Sequence, residues 1–194
     1  MSAKPSIPKF ALAIDWETSG YSLPAYAAQH QGISFGAVVF DLSSLTPIEE
    51  LYCEVKFDPK YKWDDGAEKI HGLSREYLQK HGIDQEEAAM ELGALILKYF
   101  SDGKVMLLGH RVWFDEAFTD QLMQSAGLEI KYDPIRLDSA AIGVLFLELQ
   151  RSDDIFDAVG LPPRAEHNAL EDVIYTIETL RKLKEIFMLG LTSS

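Results

Sequence analysis

Apolar and polar residues alternate near the amino terminus in a pattern that predicts a β-strand over residues 9–17. Every second position from Phe10 to Trp16 is large and apolar, whereas Asp15 and Glu17 end the opposite, alanine-rich face. Trp16 is therefore expected in the core. The stretches 33–41 and 51–57 also read as strands, and the polar connection between them favours an antiparallel pairing.

The rest of the chain alternates between helical and short apolar segments. A short buried strand is predicted at 104–110, and a second strand at 134–138 runs into a helix. Apolar residues at helical spacing, together with glycine and proline stops, predict helices at about 71–82, 85–100, 115–126, 139–149, 153–163 and 168–187. This order predicts an α/β fold in which a mixed sheet, three antiparallel strands plus parallel strands, carries helices on both faces. With no internal repeat and no long linker, we expect a single domain over residues 1–194.

Composition limits the class of protein. The 194 residues are 47% hydrophobic and 25% charged, which is ordinary for a soluble globular protein. No apolar run approaches the ~20 residues of a membrane helix, so no membrane association is expected. The amino terminus does not resemble a signal peptide, and the single cysteine, Cys53, cannot form an internal disulfide. These features predict a cytoplasmic protein.

The charge balance bears on possible ligands. The chain has 31 acidic and 18 basic residues, a formal net charge of −13. Proteins that bind long duplex DNA usually present a basic face. If this chain handles nucleic acid, we expect it to contact a short end or to use bound cations. Solubility alone also explains the acidity.

Asp15 and Glu17 are the first candidate site residues. Both lie at the end of a predicted strand whose other positions are apolar or alanine, and both point to one face. Two neighbouring buried carboxylates repel each other unless a cation lies between them. Hard oxygen ligands favour Mg²⁺ or Mn²⁺. The alternative is that the strand frays here and water solvates both carboxylates.

Three residues further along the chain are candidates for the same metal-dependent site. Asp115 follows the strand predicted at 104–110, at the edge where open α/β sheets bind ligands, although a helix cap would explain it equally. His167 and Asp172 flank the start of the last predicted helix, where a surface histidine and a first-turn acid are the ordinary interpretation. Four carboxylates around two divalent ions are a template for phosphodiester hydrolysis, and a histidine supplies a general base near neutral pH.

In chain order these motifs resemble those of the DnaQ-like (DEDDh) 3′-to-5′ exonucleases of the ribonuclease H-like superfamily. The first motif of that family, D-x-E-T-[TS]-G, is similar to AIDWETSG at 13–20. The second, G-H-N-x-x-F-D, is similar to LLGHRVWFD at 107–115, and the third, H-x-A-x-x-D, to EHNALED at 166–172. Further similarity lies in ISFGAVVFD at 33–41, KIHGLSREYL at 69–78 and IRLDSA at 135–140. The resemblance covers nearly the whole chain and implies a ribonuclease H-like fold.

Position by position, the resemblance implies a role for each matching residue. Asp15, Glu17 and Asp172 would hold one metal ion, and Asp115 would support a second, which Asp15 also reaches. His167 would be the general base. The residues implied to contact the terminal nucleotide are Thr18, Ser19, His71 and Phe114.

The function that the resemblance implies is metal-dependent 3′-to-5′ hydrolysis of single-stranded DNA or frayed duplex ends, which releases nucleoside 5′-monophosphates. An exoribonuclease acting on RNA tails or short oligonucleotides is the alternative, because the sequence does not reveal a contact to the 2′-hydroxyl. A non-catalytic binding module would be expected to lack one of the five ligand or base residues, and all five are present. The expected partner is the 3′ end of a single strand, and a homodimer or a replication or repair partner is left open.

Two positions depart from the family pattern. Arg111 stands where the family usually has asparagine, and either alters local hydrogen bonding or adds a phosphate contact. Trp113 replaces a smaller residue, and the sequence leaves open whether it extends a base-stacking surface or packs in the core.

Overall fold

The computed structural model describes residues 7–22, 26–101, 103–164 and 168–192, and a five-stranded mixed sheet lies at its centre. Its strands are β1 (Phe10–Thr18), β2 (Gly32–Asp41), β3 (Thr46–Glu54), β4 (Leu107–Gly109) and β5 (Leu137–Asp138). They lie in the order β3-β2-β1-β4-β5. The first three pair antiparallel, whereas β4 runs parallel to β1 and β5 parallel to β4. The predicted α/β class and mixed sheet are confirmed.

Helices cover both faces of this sheet. They are α1 (Tyr26–Gln29), α2 (Asp65–His71), α3 (Arg75–His81), α4 (Gln85–Tyr99), α5 (Val112–Ser125), α6 (Ser139–Leu147), α7 (Ser152–Ala158) and α8 (Ala169–Thr192). Among the residues described, no helix is both long and apolar enough to cross a bilayer.

The alternation in β1 separates two apolar cores. Leu12, Ile14 and Trp16 pack on one side with buried residues of α4 and α5. Trp16 is 4% exposed, so its predicted place in the core is confirmed. On the opposite side, Ala11 and Ala13 pack against α8. The small alanine side chains let α8 approach the face on which Asp15 and Glu17 also point.

Several element boundaries differ from the prediction. The helix predicted at about 71–82 is α3 (Arg75–His81), and α2 (Asp65–His71) precedes it without having been predicted. The β3 strand begins at Thr46, because the polar residues expected to connect β2 and β3 pair with β2 from Thr46 opposite Asp41 onward. As an edge strand, β3 tolerates exposed polar residues and Pro47. Helix α5 begins at Val112, three residues before the predicted start, so Asp115 lies within its first turn rather than opening it.

Candidate active site

Three carboxylates meet at the end of β1. Asp15, Glu17 and Asp172 each offer an oxygen, and these oxygens all lie within 4.8 Å of one another. We call these three residues the carboxylate trio. Asp15 and Glu17 share one face of β1, and Asp172 comes from the first turn of α8. The structure therefore brings together residues that are 155 positions apart in the sequence (172 minus 17).

A glycine in the neighbouring strand allows α8 to reach this position. Gly36 pairs directly with Asp15 across the sheet. A Cβ atom at Gly36 would lie 2.3 Å from the Cα of Leu170 in the first turn of α8, so only glycine permits this approach. The side chain of Asn168 accepts hydrogen bonds from the backbone N–H groups of Leu170 and Glu171 at 3.0 and 3.3 Å. This cap fixes the helix start, and with it the place of Asp172.

Asp115 reaches the same region from the other layer of helices. Its side chain is 1% exposed, and its Oδ2 has no hydrogen-bond partner within the described parts of the chain. Gly109, at the end of β4, makes room for it, since a Cβ there would lie 2.8 Å from that Oδ2. A buried carboxylate oxygen without a donor is costly, and a bound cation is the usual compensation.

A short hydrogen-bond chain ties α5 to β1. The indole of Trp16 donates to the hydroxyl of Thr119 at 2.9 Å, and that hydroxyl donates to the backbone carbonyl of Asp115 at 2.7 Å. The core tryptophan thus fixes the helix that carries Asp115 relative to the strand that carries Asp15 and Glu17.

The acids of this region resist ionisation. Burial raises the pKa of Asp15 to about 6, against a lowering by the charge of Arg164. Burial and the neighbouring Asp15 raise the pKa of Glu17 to about 7. Burial, and then the charge of Asp15, also raise the pKa of Asp115 well above its ordinary value. The fold therefore holds several carboxylates in an environment that disfavours their charge, which is expected of a cation site.

Arg164 is the cation that contacts this cluster. Its side chain is 6% exposed, and its guanidinium donates to the carboxylates of Asp172 and Asp153. It also lies 5.2 Å from the centre of the Phe156 ring. Arg164 is not predictable from the sequence, because an arginine after two prolines carries no recognisable signal.

A cavity of about 310 Å³ opens over the acids. Asp15, Asp115 and Asp172 line it together with four aromatic side chains: Tyr21, Trp113, Phe114 and Phe156. Tyr21 is 50% exposed and Trp113 46% exposed. Of the two sequence interpretations of Trp113, the structure excludes packing in the core. The ring centres of Tyr21 and Phe114 are 5.7 Å apart. The cavity is thus lined by acids at its base and by these four aromatic side chains on its side, which we call the aromatic wall.

Asp138 shapes the loop that leads into α5. Its carboxylate accepts hydrogen bonds from the backbone N–H groups of Arg111 (3.2 Å) and Val112 (3.1 Å), and it also caps α6. Arg111 has a φ of 61° and a ψ of 54°, the left-handed conformation that asparagine tolerates better than most residues. That geometry gives a physical reason for the asparagine usual in the resembling family. The side chain of Arg111 lines the cavity, and the backbone bond to Asp138 offsets the strain.

Three of the residues expected to contact a nucleotide do not line this cavity. The hydroxyl of Thr18 donates to the backbone carbonyl of Gly20 at 3.1 Å. The hydroxyl of Ser19 donates to the carbonyl of Lys62 at 2.7 Å. His71, 9% exposed, accepts from the backbone N–H of Leu73 through Nδ1 at 3.0 Å. Their part in binding stays a prediction. Phe114 does line the cavity, and its contact with a nucleotide also stays a prediction.

His167 falls outside the described residues, as do residues 165 and 166. Its role as a general base stays a prediction.

A second, larger cavity lies away from these acids. It has a volume of about 1040 Å³, and its charged side chains include two ion pairs, Lys56 with Asp84 at 3.0 Å and Lys60 with Asp58 at 2.8 Å. Because these acids are already paired with lysines, they are less suited to bind a cation than the acids of the carboxylate trio.

The acids that line or adjoin the first cavity fit a divalent metal ion. Three carboxylates converge, a fourth carries an oxygen without a donor, and all are of the hard oxygen type that divalent cations of the Mg²⁺ class prefer. Asp15, Glu17 and Asp172 would be its ligands, with Asp115 beside them.

Comparison with known proteins gives this geometry a context. A sequence model described as an exonuclease family (RNase T) matches residues 12–180. No protein of curated function matches the sequence. Among solved structures, exonuclease I superimposes with a TM-score of 0.74 at 22% identity over 91% of this chain and 41% of that one. Its product-bound structure gives 0.74 at 21% identity over 92% and 44%. The E. coli enzyme in complex with a dA16 oligonucleotide gives 0.74 at 20% identity over 91% and 41%. The chain thus spans less than half the length of these structures, which share its fold.

Proposed function

Because the chain belongs to the exonuclease family that its sequence matches over residues 12–180, we propose that it is a metal-dependent 3′-to-5′ exonuclease of the DEDDh type. Its substrate is the 3′ end of single-stranded DNA or a frayed duplex end, and its products are nucleoside 5′-monophosphates. The observation that carries the proposal is the convergence of the carboxylate trio, two of whose members, Asp15 and Asp172, line one cavity together with Asp115.

Two divalent ions, Mg²⁺ or Mn²⁺, would activate the attacking water and supply positive charge that stabilises the transition state of phosphodiester hydrolysis. The chain contributes the geometry. Asp15, Glu17 and Asp172 would hold one ion, and Asp15 with Asp115 would hold the other. His167 takes the proton from the attacking water.

The aromatic wall accounts for substrate binding without sequence preference. Bases stack on aromatic faces whatever their identity, and Phe114, with Tyr21 against it, offers such a face to the terminal base. A net charge of −13 disfavours electrostatic binding along many phosphates of a long nucleic acid. It is compatible with a site that admits only the last nucleotides, whose phosphates bound metal ions would neutralise. Solved structures of E. coli exonuclease I contain single-stranded DNA, one of them in a zinc-bound form, which supports this choice of substrate.

The products identify the reaction. Purified protein is incubated with single-stranded DNA in Mg²⁺, and the released material is separated and identified by mass. The proposal expects nucleoside 5′-monophosphates from the start of the reaction. Nucleoside 3′-monophosphates, or internal fragments before any mononucleotide, would exclude it.

RNA is the second candidate substrate. A matched RNA of the same sequence is digested in parallel, and a faster release of ribonucleotides would select the exoribonuclease. If neither strand is cleaved in Mg²⁺ or Mn²⁺ by correctly folded protein, the binding module remains, and binding of both strands is then measured directly.

Trp113 is expected to contribute to binding more than to chemistry. Replacement of Trp113 by Ala removes a half-exposed ring from the cavity wall, and loss of one base stack costs about 1–3 kcal/mol. The KM for single-stranded DNA should rise about tenfold while kcat changes less, and Trp113→Phe should restore most of the loss. Tyr77→Ala is the matched control, since Tyr77 is 41% exposed and does not line the cavity. An unchanged KM in Trp113→Ala would remove Trp113 from the binding surface.

A further inference from the structure

Arg164 is a nearly buried cation placed among acids. Three groups hold its guanidinium: the carboxylate of Asp172, the carboxylate of Asp153 and the face of Phe156. A side chain that is 6% exposed gains little from solvent, so these contacts compensate its charge. Asp153 is 49% exposed and outside the carboxylate trio, whereas Asp172 is a member of it.

The charge of Arg164 acts on the whole trio. Besides its contact with Asp172, it lowers the pKa values of Asp15 and Glu17 against the effect of burial. The guanidinium therefore does electrostatically, in part, what a divalent ion would do among the same acids.

A divalent ion and the guanidinium need the same carboxylate. An ion held by the trio would take oxygens of Asp172, to which Arg164 donates. Two cations that share one carboxylate at such short range repel each other strongly in a partly buried site. Asp153 gives the guanidinium a second anchor to which it can withdraw.

From these contacts we propose that Arg164 is the internal counter-ion of the carboxylate trio and competes with the divalent metal for Asp172. The proposal rests on the metal centre of the proposed function. Arg164 stabilises the fold when metal is scarce, and it lowers the affinity of the site for metal. It is a positioning residue that sets the metal concentration at which the site fills.

Metal affinity tests this directly. Mn²⁺ is titrated calorimetrically into the protein without nucleic acid. Arg164→Gln removes the competing charge, and Mn²⁺ should bind roughly tenfold more tightly. Arg164→Lys keeps the charge and should stay closer to the wild type. Arg136→Gln is the matched control, because Arg136 forms a two-bond ion pair with Glu116 at 2.6 and 2.8 Å and does not line the cavity.

Thermal melting separates competition from an ordinary structural role. In EDTA, Arg164→Gln should melt below the wild type, and saturating Mn²⁺ should close most of that gap. Asp153→Asn loosens the second anchor of Arg164 without altering the trio and keeps the test available if Arg164→Gln folds poorly. In that variant the guanidinium depends more on Asp172, so Mn²⁺ should bind more weakly than in the wild type.

Unchanged or weaker Mn²⁺ binding in Arg164→Gln would overturn the proposal, and so would equal losses of melting temperature in EDTA and in Mn²⁺. Failure of the proposed function looks different. A protein that shows these shifts but cleaves no nucleic acid would retain the counter-ion and lose the exonuclease assignment. Cleavage of nucleic acid without these shifts would retain the exonuclease assignment and exclude Arg164 as the counter-ion.

Discussion

Asp172→Asn is expected to lower the rate of DNA hydrolysis by about 10³-fold or more, since a metal ion supplies several kcal/mol of transition-state stabilisation and this change removes a charged ligand. The fold should survive, because asparagine keeps the shape of the side chain and an oxygen that can accept from Arg164. Single-turnover hydrolysis of labelled single-stranded DNA measures the rate, and circular dichroism checks the fold.

Glu171→Gln is the matched control for this variant. Glu171 neighbours Asp172 in the same turn of α8 and is half-buried, but it is not part of the carboxylate trio. Its neutralisation should change the rate by less than about threefold, as expected for a surface charge that contacts no ligand. Wild-type hydrolysis by Asp172→Asn would remove Asp172 from the metal centre.

Asp115→Asn should abolish hydrolysis and at the same time stabilise the protein in EDTA. It removes a charge from a side chain that is 1% exposed and whose Oδ2 lacks a donor in the described part of the chain. A gain of about 1 kcal/mol corresponds to about 2–4 °C in Tm for a chain of this size.

The stabilisation expected of Asp115→Asn should depend on pH, in a direction set by the raised pKa of Asp115. The folded-state pKa of Asp115 lies well above its ordinary value, so the unfolded chain loses this proton at a lower pH than the folded chain does. The contribution of Asp115 to wild-type stability in EDTA therefore falls as pH rises above about 4, where the unfolded carboxyl begins to ionise. The Tm advantage of Asp115→Asn should be small near pH 4 and should grow toward neutral pH. Asp157→Asn, at an exposed position on α7, should show no such trend. A Tm advantage that shrinks with rising pH would contradict the raised pKa.

Much of the fold follows from local patterns. The alternation in β1 correctly separates the core tryptophan from the acids, because a strand turns successive side chains to opposite faces. The edge strand β3 was harder to delimit. Its polar first half is held by backbone pairing with β2, and such pairing leaves no hydrophobic signal in the sequence.

The candidate site was predictable in its ligands and less so in its surroundings. Asp15 and Glu17 are recognisable because acids stand out at the end of an apolar strand, and the spacing of the motifs points to Asp115 and Asp172. The close approach of α8 to the sheet depends on Gly36. The sequence alone does not show which helix packs against a glycine in a strand. Arg164 was missed for a similar reason, because its contacts with Asp153 and Asp172 are formed only once α7 and α8 pack together.

The most direct test of the central claim follows a 5′-labelled single-stranded DNA through digestion in Mg²⁺, in Mn²⁺ and in EDTA, with Asp172→Asn alongside. A catalytic metal centre built on the trio predicts a ladder of labelled products that shortens from the 3′ end in either metal. It predicts no ladder in EDTA or with Asp172→Asn. A ladder that persists in EDTA, or immediate release of the labelled 5′ nucleotide, would contradict a metal-dependent exonuclease of 3′-to-5′ direction.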